Sequence, residues 1–208
     1  MAQMTSFDPN LVREVNRLWL PVYSGLAEQA ASYCAQAPQN ILEIGCFSGG
    51  MGLTLLQRYP DSRLAVALEL DELAATFSRD WEGLLSESDS DRVSVVASPL
   101  TPLRITGNSH DLVICRGVFF FLDPGGAVLS EIDRVLSEGG VAFFGGGFGS
   151  FTSPKVIEQI ADESRRINAA LGKQFLSSQD FHRILDSCGL ADRSRIIEEG
   201  GLWALLEK

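Results

Sequence analysis

Apolar residues along this chain recur with two periods, and the alternation between them lays out the elements. Leu11, Val15, Leu18, Trp19 and Val22 fall at helical spacing after Asp8-Pro9, a capping residue followed by proline at the first helical position. Pro21 lacks a backbone N–H and predicts a kink or a split, with a second helical stretch over residues 23–36 ending before Pro38. Residues 40–44, Asn-Ile-Leu-Glu-Ile, are short and apolar and read as the first strand. A helix over 49–58, a strand over 64–69 and a helix over 71–81 follow, then an acidic, serine-rich loop at 86–91. Further strands are predicted at 92–96, 111–115 and 140–145, with a helix over 124–136 between the last two.

After Gly145-Gly146-Gly147, Ser153-Pro154 caps a helix that carries Val156, Ile157, Ile160, Ile167 and Leu171 on one face, and another helix spans 178–188. Residues 193–197 and 202–206 are apolar runs joined by Glu198-Glu199-Gly200-Gly201, which reads as an antiparallel hairpin. Alternation of strand and helix predicts a parallel sheet, and five strands apolar throughout predict cover on both faces. The expectation is an α/β fold with a doubly wound sheet, five parallel strands plus the C-terminal hairpin, preceded by N-terminal helices.

With 208 residues and 45% apolar content the chain supports one substantial core, and a single domain is expected: a helical cap over 1–38 and an α/β core over 39–208. The formal net charge of −10 repels a phosphate backbone, so nucleic acid is not an expected partner. Cys34, Cys46, Cys115 and Cys188 show no paired spacing, which suggests reduced thiols in a cytoplasmic protein. Residues 1–10 lack a basic region followed by an apolar stretch, and no uncharged apolar run is long enough to span a bilayer, so neither export nor a membrane partner is expected.

The first strand runs into Glu43-Ile44-Gly45-Cys46-Phe47-Ser48-Gly49-Gly50, an acidic residue and a glycine-rich turn where a doubly wound sheet opens its ligand crevice. Gly45 and Gly49 admit close backbone approach, either to a ligand or in helix–sheet packing. The second strand ends in Glu69, a two-oxygen acceptor suited to a ribose diol. The competing role for Glu69, a solvated cap on the next helix, falls more naturally to Asp71.

The segment 41–49 resembles the first motif of class I S-adenosylmethionine-dependent methyltransferases in its E-x-G-x-x-x-G form, and an aromatic at the Phe47 position is similar to catechol O-methyltransferase-like members. Residues 111–116, and 131–140 with the Glu138-Gly139-Gly140 turn, resemble the fourth strand, helix and glycine turn of small-molecule methyltransferases. The resemblance covers about residues 40–208 and implies a Rossmann-like, seven-stranded sheet whose last strand is reversed. It implies that S-adenosylmethionine is the cofactor, with the loop from Gly45 through Cys46 and Phe47 to Gly49 at its methionine portion. Glu69 then holds the ribose, and Glu43 binds the amino group or fixes the loop. Ala97-Ser98-Pro99 aligns with a segment that in this family gives adenine an acidic side chain and an N–H; here Ser98 replaces the acid and Pro99 has no N–H. Adenine recognition then shifts to the Ser98 hydroxyl, Leu100 N–H and stacking by Leu70.

Arg116 and Gly117 follow the fourth strand, where the reactive methyl would face its acceptor. Arg116 is read either as a partner of the cofactor carboxylate or an anionic substrate, or as a salt-bridged surface residue. Val118 and Phe119-Phe120-Phe121 occupy a stretch where many members of that family carry histidine, so no general base is evident; His110 and His182 lie away from the crevice edge. A sulfonium carries a good neutral leaving group, and alignment of the nucleophile can supply most of the acceleration. Metal-dependent catechol-type enzymes place acidic residues where this chain has Arg116, so metal independence is expected. Trp19, Tyr23, Phe119, Phe120, Phe148 and Phe151 either pack the core or line an acceptor pocket, with Tyr23, Phe119 and Phe148 the substrate candidates.

The function expected is methyl transfer to a small molecule by in-line displacement. Two other readings stand beside it. A nicotinamide dehydrogenase would share the sheet, but its G-x-G-x-x-G turn is not met at 45–50. A catalytically silent cofactor-binding or scaffolding domain would keep the fold while tolerating Ser98-Pro99.

Overall fold

The computed structural model describes residues 8–173 and 176–208; the N-terminal reading over 1–10 lies outside the described residues as far as residue 7. Helices α1 (Pro9–Leu18) and α2 (Leu20–Ser32) precede β1 (Asn40–Ile44), α3 (Gly50–Arg58), β2 (Arg63–Leu68), α4 (Asp71–Asp80), β3 (Val93–Ala97) and β4 (His110–Arg116). The chain continues through α5 (Ala127–Val135), β5 (Leu136–Gly147), α6 (Pro154–Ala170), α7 (Ser178–Ser187), β6 (Ser194–Ile197) and β7 (Gly201–Glu207). All seven strands join one sheet in the order β3-β2-β1-β4-β5-β7-β6. β1 to β5 run parallel, while β7 is antiparallel to both β5 and β6. The doubly wound, Rossmann-like plan with a reversed terminal hairpin is therefore the observed fold.

Central strand β1 pairs with β2 on one side and β4 on the other, so the chain changes winding direction between β1 and β4. In an open α/β sheet that switch point opens a crevice at the carboxyl ends of the strands. Alternation along β1 divides the core: Ile41 joins a layer with Val12, Met51, Leu53 and Phe77, whereas Leu42 and Ile44 join Leu129, Ile132 and Phe181 on the other face. β3 departs from the expected two-sided burial because it is the sheet edge, and its residues are half-buried or exposed.

Several boundaries move for local reasons. The N-terminal helix splits at Trp19, whose N–H closes α1 on Val15 O at 3.0 Å while its carbonyl receives Val22 N at 2.8 Å. Pro21 then sits in the first turn of α2, where no N–H is needed. α2 ends at Ser32 instead of reaching residue 36. α5 starts at Ala127 instead of Pro124, because Asp123 accepts from Gly125 N at 2.8 Å and Ala127 N at 3.0 Å and holds the intervening residues in a turn. The serine-rich stretch is a 3-10 turn, Glu87–Arg92. The glycine turn at 138–140 lies inside β5, where the register against β4 shifts between His110 and Leu112 and Gly139 N donates to Lys208 O at 2.8 Å.

Residues 98–109 connect β3 to β4 by turns, and the α5 pair Glu131–Arg134 holds them. Glu131 Oε2 accepts from Leu103 N at 2.7 Å, and Arg134 donates to Leu103 O at 3.1 Å and Ile105 O at 3.0 Å. Replacing Glu131 by alanine orphans the Leu103 amide and releases Arg134. The expected cost is about 1–2 kcal/mol, read as a lower urea midpoint, with faster amide exchange concentrated in 98–109.

Candidate functional site

β1 carries Glu43 and Gly45 into the crevice. Glu43 is fully buried, and its Oε2 accepts from Gly52 N at 2.8 Å, inside the first turn of α3. A carboxylate at a helix N-terminus satisfies amides that have no helical partner. Burial raises the Glu43 pKa; the amides of Gly52, Gly49 and Met51 and the charge of Arg116 act against it. Glu43 Oε2 thus holds the start of α3 against β1, while its Oε1 is buried with no hydrogen-bond partner among the described residues.

The loop after β1 is tied to β2 by Gly45 N donating to Ala67 O at 3.0 Å. Gly45 and Gly49 adopt φ values of +100° and +126°, which favour glycine. Each also lies against a ring: a Cβ on Gly45 would stand 3.1 Å from Phe121 Cε2, and one on Gly49 2.5 Å from Trp81. Cys46, Phe47 and Ser48 are buried between them.

Glu69 follows β2 and precedes Leu70, which is the N-cap position of α4. The competing role as helix cap is thus unfilled by Glu69. It is unfilled by Asp71 as well, which is the first residue of the helix and places its charge in the first turn. Glu69 is half-buried, its Oε2 is buried without a hydrogen-bond partner, and burial pushes its pKa up to about 7. Leu70 and Pro99 are half-buried and Leu100 packs into the core. The Ser98 hydroxyl is already engaged, accepting from Arg104 N at 2.8 Å and donating to Pro99 O at 2.8 Å. An adenine contact by that hydroxyl would have to displace these bonds, so Ser98 serves first to shape the loop after β3.

Arg116, the last residue of β4, is 5% exposed, which removes the salt-bridged surface reading. Its Nη2 donates to Asn16 Oδ1 at 2.9 Å, Tyr23 Oη at 3.1 Å and Phe47 O at 3.1 Å. Its Cζ lies 4.8 Å from the Trp19 ring, 5.2 Å from Phe47 and 5.3 Å from Tyr23. Gly117 N donates to Gly145 O at 2.7 Å, joining the ends of β4 and β5. Of the substrate candidates, Tyr23 is 1% exposed, and burial raises its pKa. Phe119 packs edge-on to Phe181 in the core, while Phe148 stays half-buried and stacks on Trp19 at 5.0 Å.

A small cleft runs along the loop, lined by Arg13, Asn16 and Arg17 of α1, Cys46 and Ser48, Leu68 of β2 and Trp81 after α4. Arg13 closes it on one side by bonding Asp80 and Glu72, each at 2.9 Å. Asn16, Arg17, Trp81 and Phe121 were not singled out from sequence. Only the glycine positions hinted at Trp81 and Phe121, because a residue without Cβ implies something packed against it.

Residues 42–144 match the methyltransferase domain family. No curated protein matches the chain. Among solved structures, a candidate S-adenosyl-L-methionine-dependent methyltransferase from Methanococcus maripaludis superposes with a TM-score of 0.80 at 21% identity, covering 100% of this chain and 96% of that one. A SAM-dependent methyltransferase from Aquifex aeolicus gives a TM-score of 0.60 at 15% identity over 97% of each chain. The geranyl diphosphate C-methyltransferase of Streptomyces coelicolor A3(2), solved with Mg2+, geranyl diphosphate and S-adenosyl-L-homocysteine, gives 0.62 at 16% identity, covering 88% of this chain and 77% of that one. The structural likenesses concern the fold; the domain match over 42–144 contains the loop after β1, and those residues belong to the methyltransferase domain family on a fold shared with S-adenosylmethionine-dependent methyltransferases.

Proposed function

We propose that the protein transfers the methyl group of S-adenosylmethionine to a small-molecule acceptor by in-line displacement, without a metal. The observation that carries this reading is Glu69: a carboxylate oxygen buried without a hydrogen-bond partner, two residues beyond the β2 position bonded to Gly45. A pair of ribose hydroxyls is the donor set it lacks. The residues present fit the cofactor. The Gly45–Gly49 backbone would hold its methionine portion, Glu69 its ribose, and Leu70 with residues 98–100 its adenine.

When bound, S-adenosylmethionine supplies a methyl on a sulfonium whose departure leaves a neutral thioether. The protein's part is positioning and exclusion of water. Glu43 keeps the loop in one conformation from beneath, and Arg13 holds α1 against α4 beside the cleft. Gly117 is read as a cofactor contact at the crevice and Phe148 as a substrate contact, and Val118 to Phe121 offers no side chain that takes up a proton. Acceptors that are already deprotonated, or lose a proton readily, suit such a site best.

Support for metal independence comes from the donor set: β4 ends in a cation, and no group of three His, Cys, Asp or Glu side chains among the described residues could hold a metal. The acidic balance of the chain supports a small molecule over nucleic acid. No helix among the described residues is long and apolar enough to cross a membrane. The cytoplasmic assignment draws on four cysteines that are all free thiols. The single-domain reading, cap 1–38 on core 39–208, draws on α1 and α2 packing into the same apolar layer as β1 and α3. A catalytically silent domain of the same fold is the second reading, favoured by the engaged Ser98 hydroxyl and by Pro99.

Calorimetric titration with S-adenosylmethionine, S-adenosylhomocysteine and NAD tests the first reading. Binding of both adenosyl ligands and not NAD is expected, and no adenosyl binding at millimolar concentration would sink it. In Glu69→Ala the affinity is expected to fall by about 1–3 kcal/mol; unchanged affinity removes the ribose assignment.

The raised pKa of Glu69 adds a pH dependence. The folded carboxyl holds its proton more tightly than the unfolded one. Its contribution to stability is therefore complete below the ordinary glutamate value of 4.5 and lost as pH rises through about 7. The ligand-free protein is expected to lose melting temperature across that window relative to Glu69→Gln. Cofactor affinity changes the opposite way, rising from pH 6 to 8 in the wild type because only the carboxylate accepts two hydroxyls. A wild type and a Glu69→Gln variant with the same pH profiles would refute this.

A further inference from the structure

We propose that the acceptor carries a carboxylate or phosphate group, and that Arg116 is its receptor. The inference rests on the methyltransferase reading and names the substrate class of that site. A guanidinium has five N–H donors, and here only Nη2 makes hydrogen bonds among the described residues. Nε is buried without a partner. The acceptors around Nη2 are an amide oxygen, a phenol and a backbone carbonyl, all neutral, and Arg116 takes part in none of the ion pairs among the described residues. Glu43 feels the charge of Arg116 from β1, but no carboxylate among the described residues bonds to the guanidinium, so its unused N–H groups are short of an anionic acceptor.

Its position selects the acceptor over the cofactor as the source of that anion. Arg116 ends β4 and adjoins Gly117, while the cleft along the loop is walled by other residues and already contains a cation, Arg17, available to the cofactor carboxylate. Asn16 stands between the two, in the cleft wall and 2.9 Å from Nη2. A second cation shares the acceptor side. Lys173, half-buried after α6, brings its Nζ within 3.9 Å of where a Cβ on Gly146 of β5 would stand. Its pKa is lowered, first by burial and then by the charge of Arg116. Both groups are cations, so an oxyanion held by Arg116 is also attracted by Lys173. The half-buried Phe148, stacked on Trp19, offers an apolar wall for the remainder of the molecule.

The test uses the full chain, with and without S-adenosylhomocysteine, and benzoate and inorganic phosphate as probes at constant ionic strength. Saturable binding of at least one probe is expected, read as a rise in melting temperature and by calorimetry. Arg116→Met should abolish it, and Arg116→Lys, which keeps the cation among the rings, should weaken it by about fivefold or more because the planar fork is lost. Lys173→Met should weaken it by about twofold to threefold. S-adenosylhomocysteine affinity should stay within about twofold of wild type in Arg116→Lys.

No saturable binding of either probe up to about 20 mM, or equal binding by wild type and both Arg116 variants, overturns the proposal. So does a loss of S-adenosylhomocysteine affinity in Arg116→Lys with 5′-methylthioadenosine affinity unchanged, since that assigns Arg116 to the cofactor carboxylate. Failure of the wild type to bind S-adenosylhomocysteine would count against the methyltransferase reading alone, because the probe titrations without it still decide the anion site.

Discussion

One buried carboxylate organises this fold. Glu43 sits on the central strand with no access to water, and the first turn of α3 supplies the amide its Oε2 requires. A carboxyl group in that place is tolerated only where hydrogen-bond partners replace its hydration, so the start of the helix and the end of the strand are held in one relation. The glycine loop between them then has little freedom. Its turn, its bond to β2 and its contacts with Trp81 and Phe121 follow from a helix start that cannot drift. The crevice inherits this rigidity from a residue that need not touch the ligand.

The architecture was legible because it is written in local periods. Parallel strands buried on both faces read as continuous apolar runs, helices announce themselves with Asp8-Pro9 and Ser153-Pro154, and the terminal hairpin is marked by paired glycines. Where boundaries moved, the cause was a side chain acting over a few residues. Asp123 holding the start of α5 and Trp19 serving both α1 and α2 are local in space, yet they depend on hydrogen bonds that a hydrophobic pattern does not encode. The edge position of β3 was hidden for a different reason: its sequence is apolar enough for the interior, and only the strand order leaves it at the margin.

The candidate site divides in the same way. The proposed cofactor side is built largely from backbone, from glycines and from one carboxylate at each of two strand ends. Such features have fixed spacing, so the sequence alone marks Glu43, Gly45, Gly49 and Glu69 as candidates. Ser98 was chosen for its hydroxyl, but the loop after β3 consumes that hydroxyl with Arg104 and Pro99, an intramolecular competition invisible without coordinates of both partners.

The proposed acceptor side is assembled from residues far apart in the chain. Asn16, Tyr23 and Phe47 meet at Arg116 from 100, 93 and 69 positions away. No spacing rule predicts such a meeting, and crevice position alone left Arg116 balanced between a ligand and a surface ion pair. Burial resolves that balance. A surface arginine needs no account of its charge, whereas one enclosed by three rings, bonded only to neutral acceptors and sensed by Glu43 without contact, has room for a bonded anion. The net charge of −10 sharpens the point: a chain with carboxylates in excess nevertheless keeps every one of those described out of ion-pairing distance of this guanidinium. A carboxylate of the protein placed there would neutralise the site permanently. Its exclusion leaves the guanidinium without a carboxylate bonded to it, and on the proposed reading the electrostatics of the acceptor side depend on what is bound.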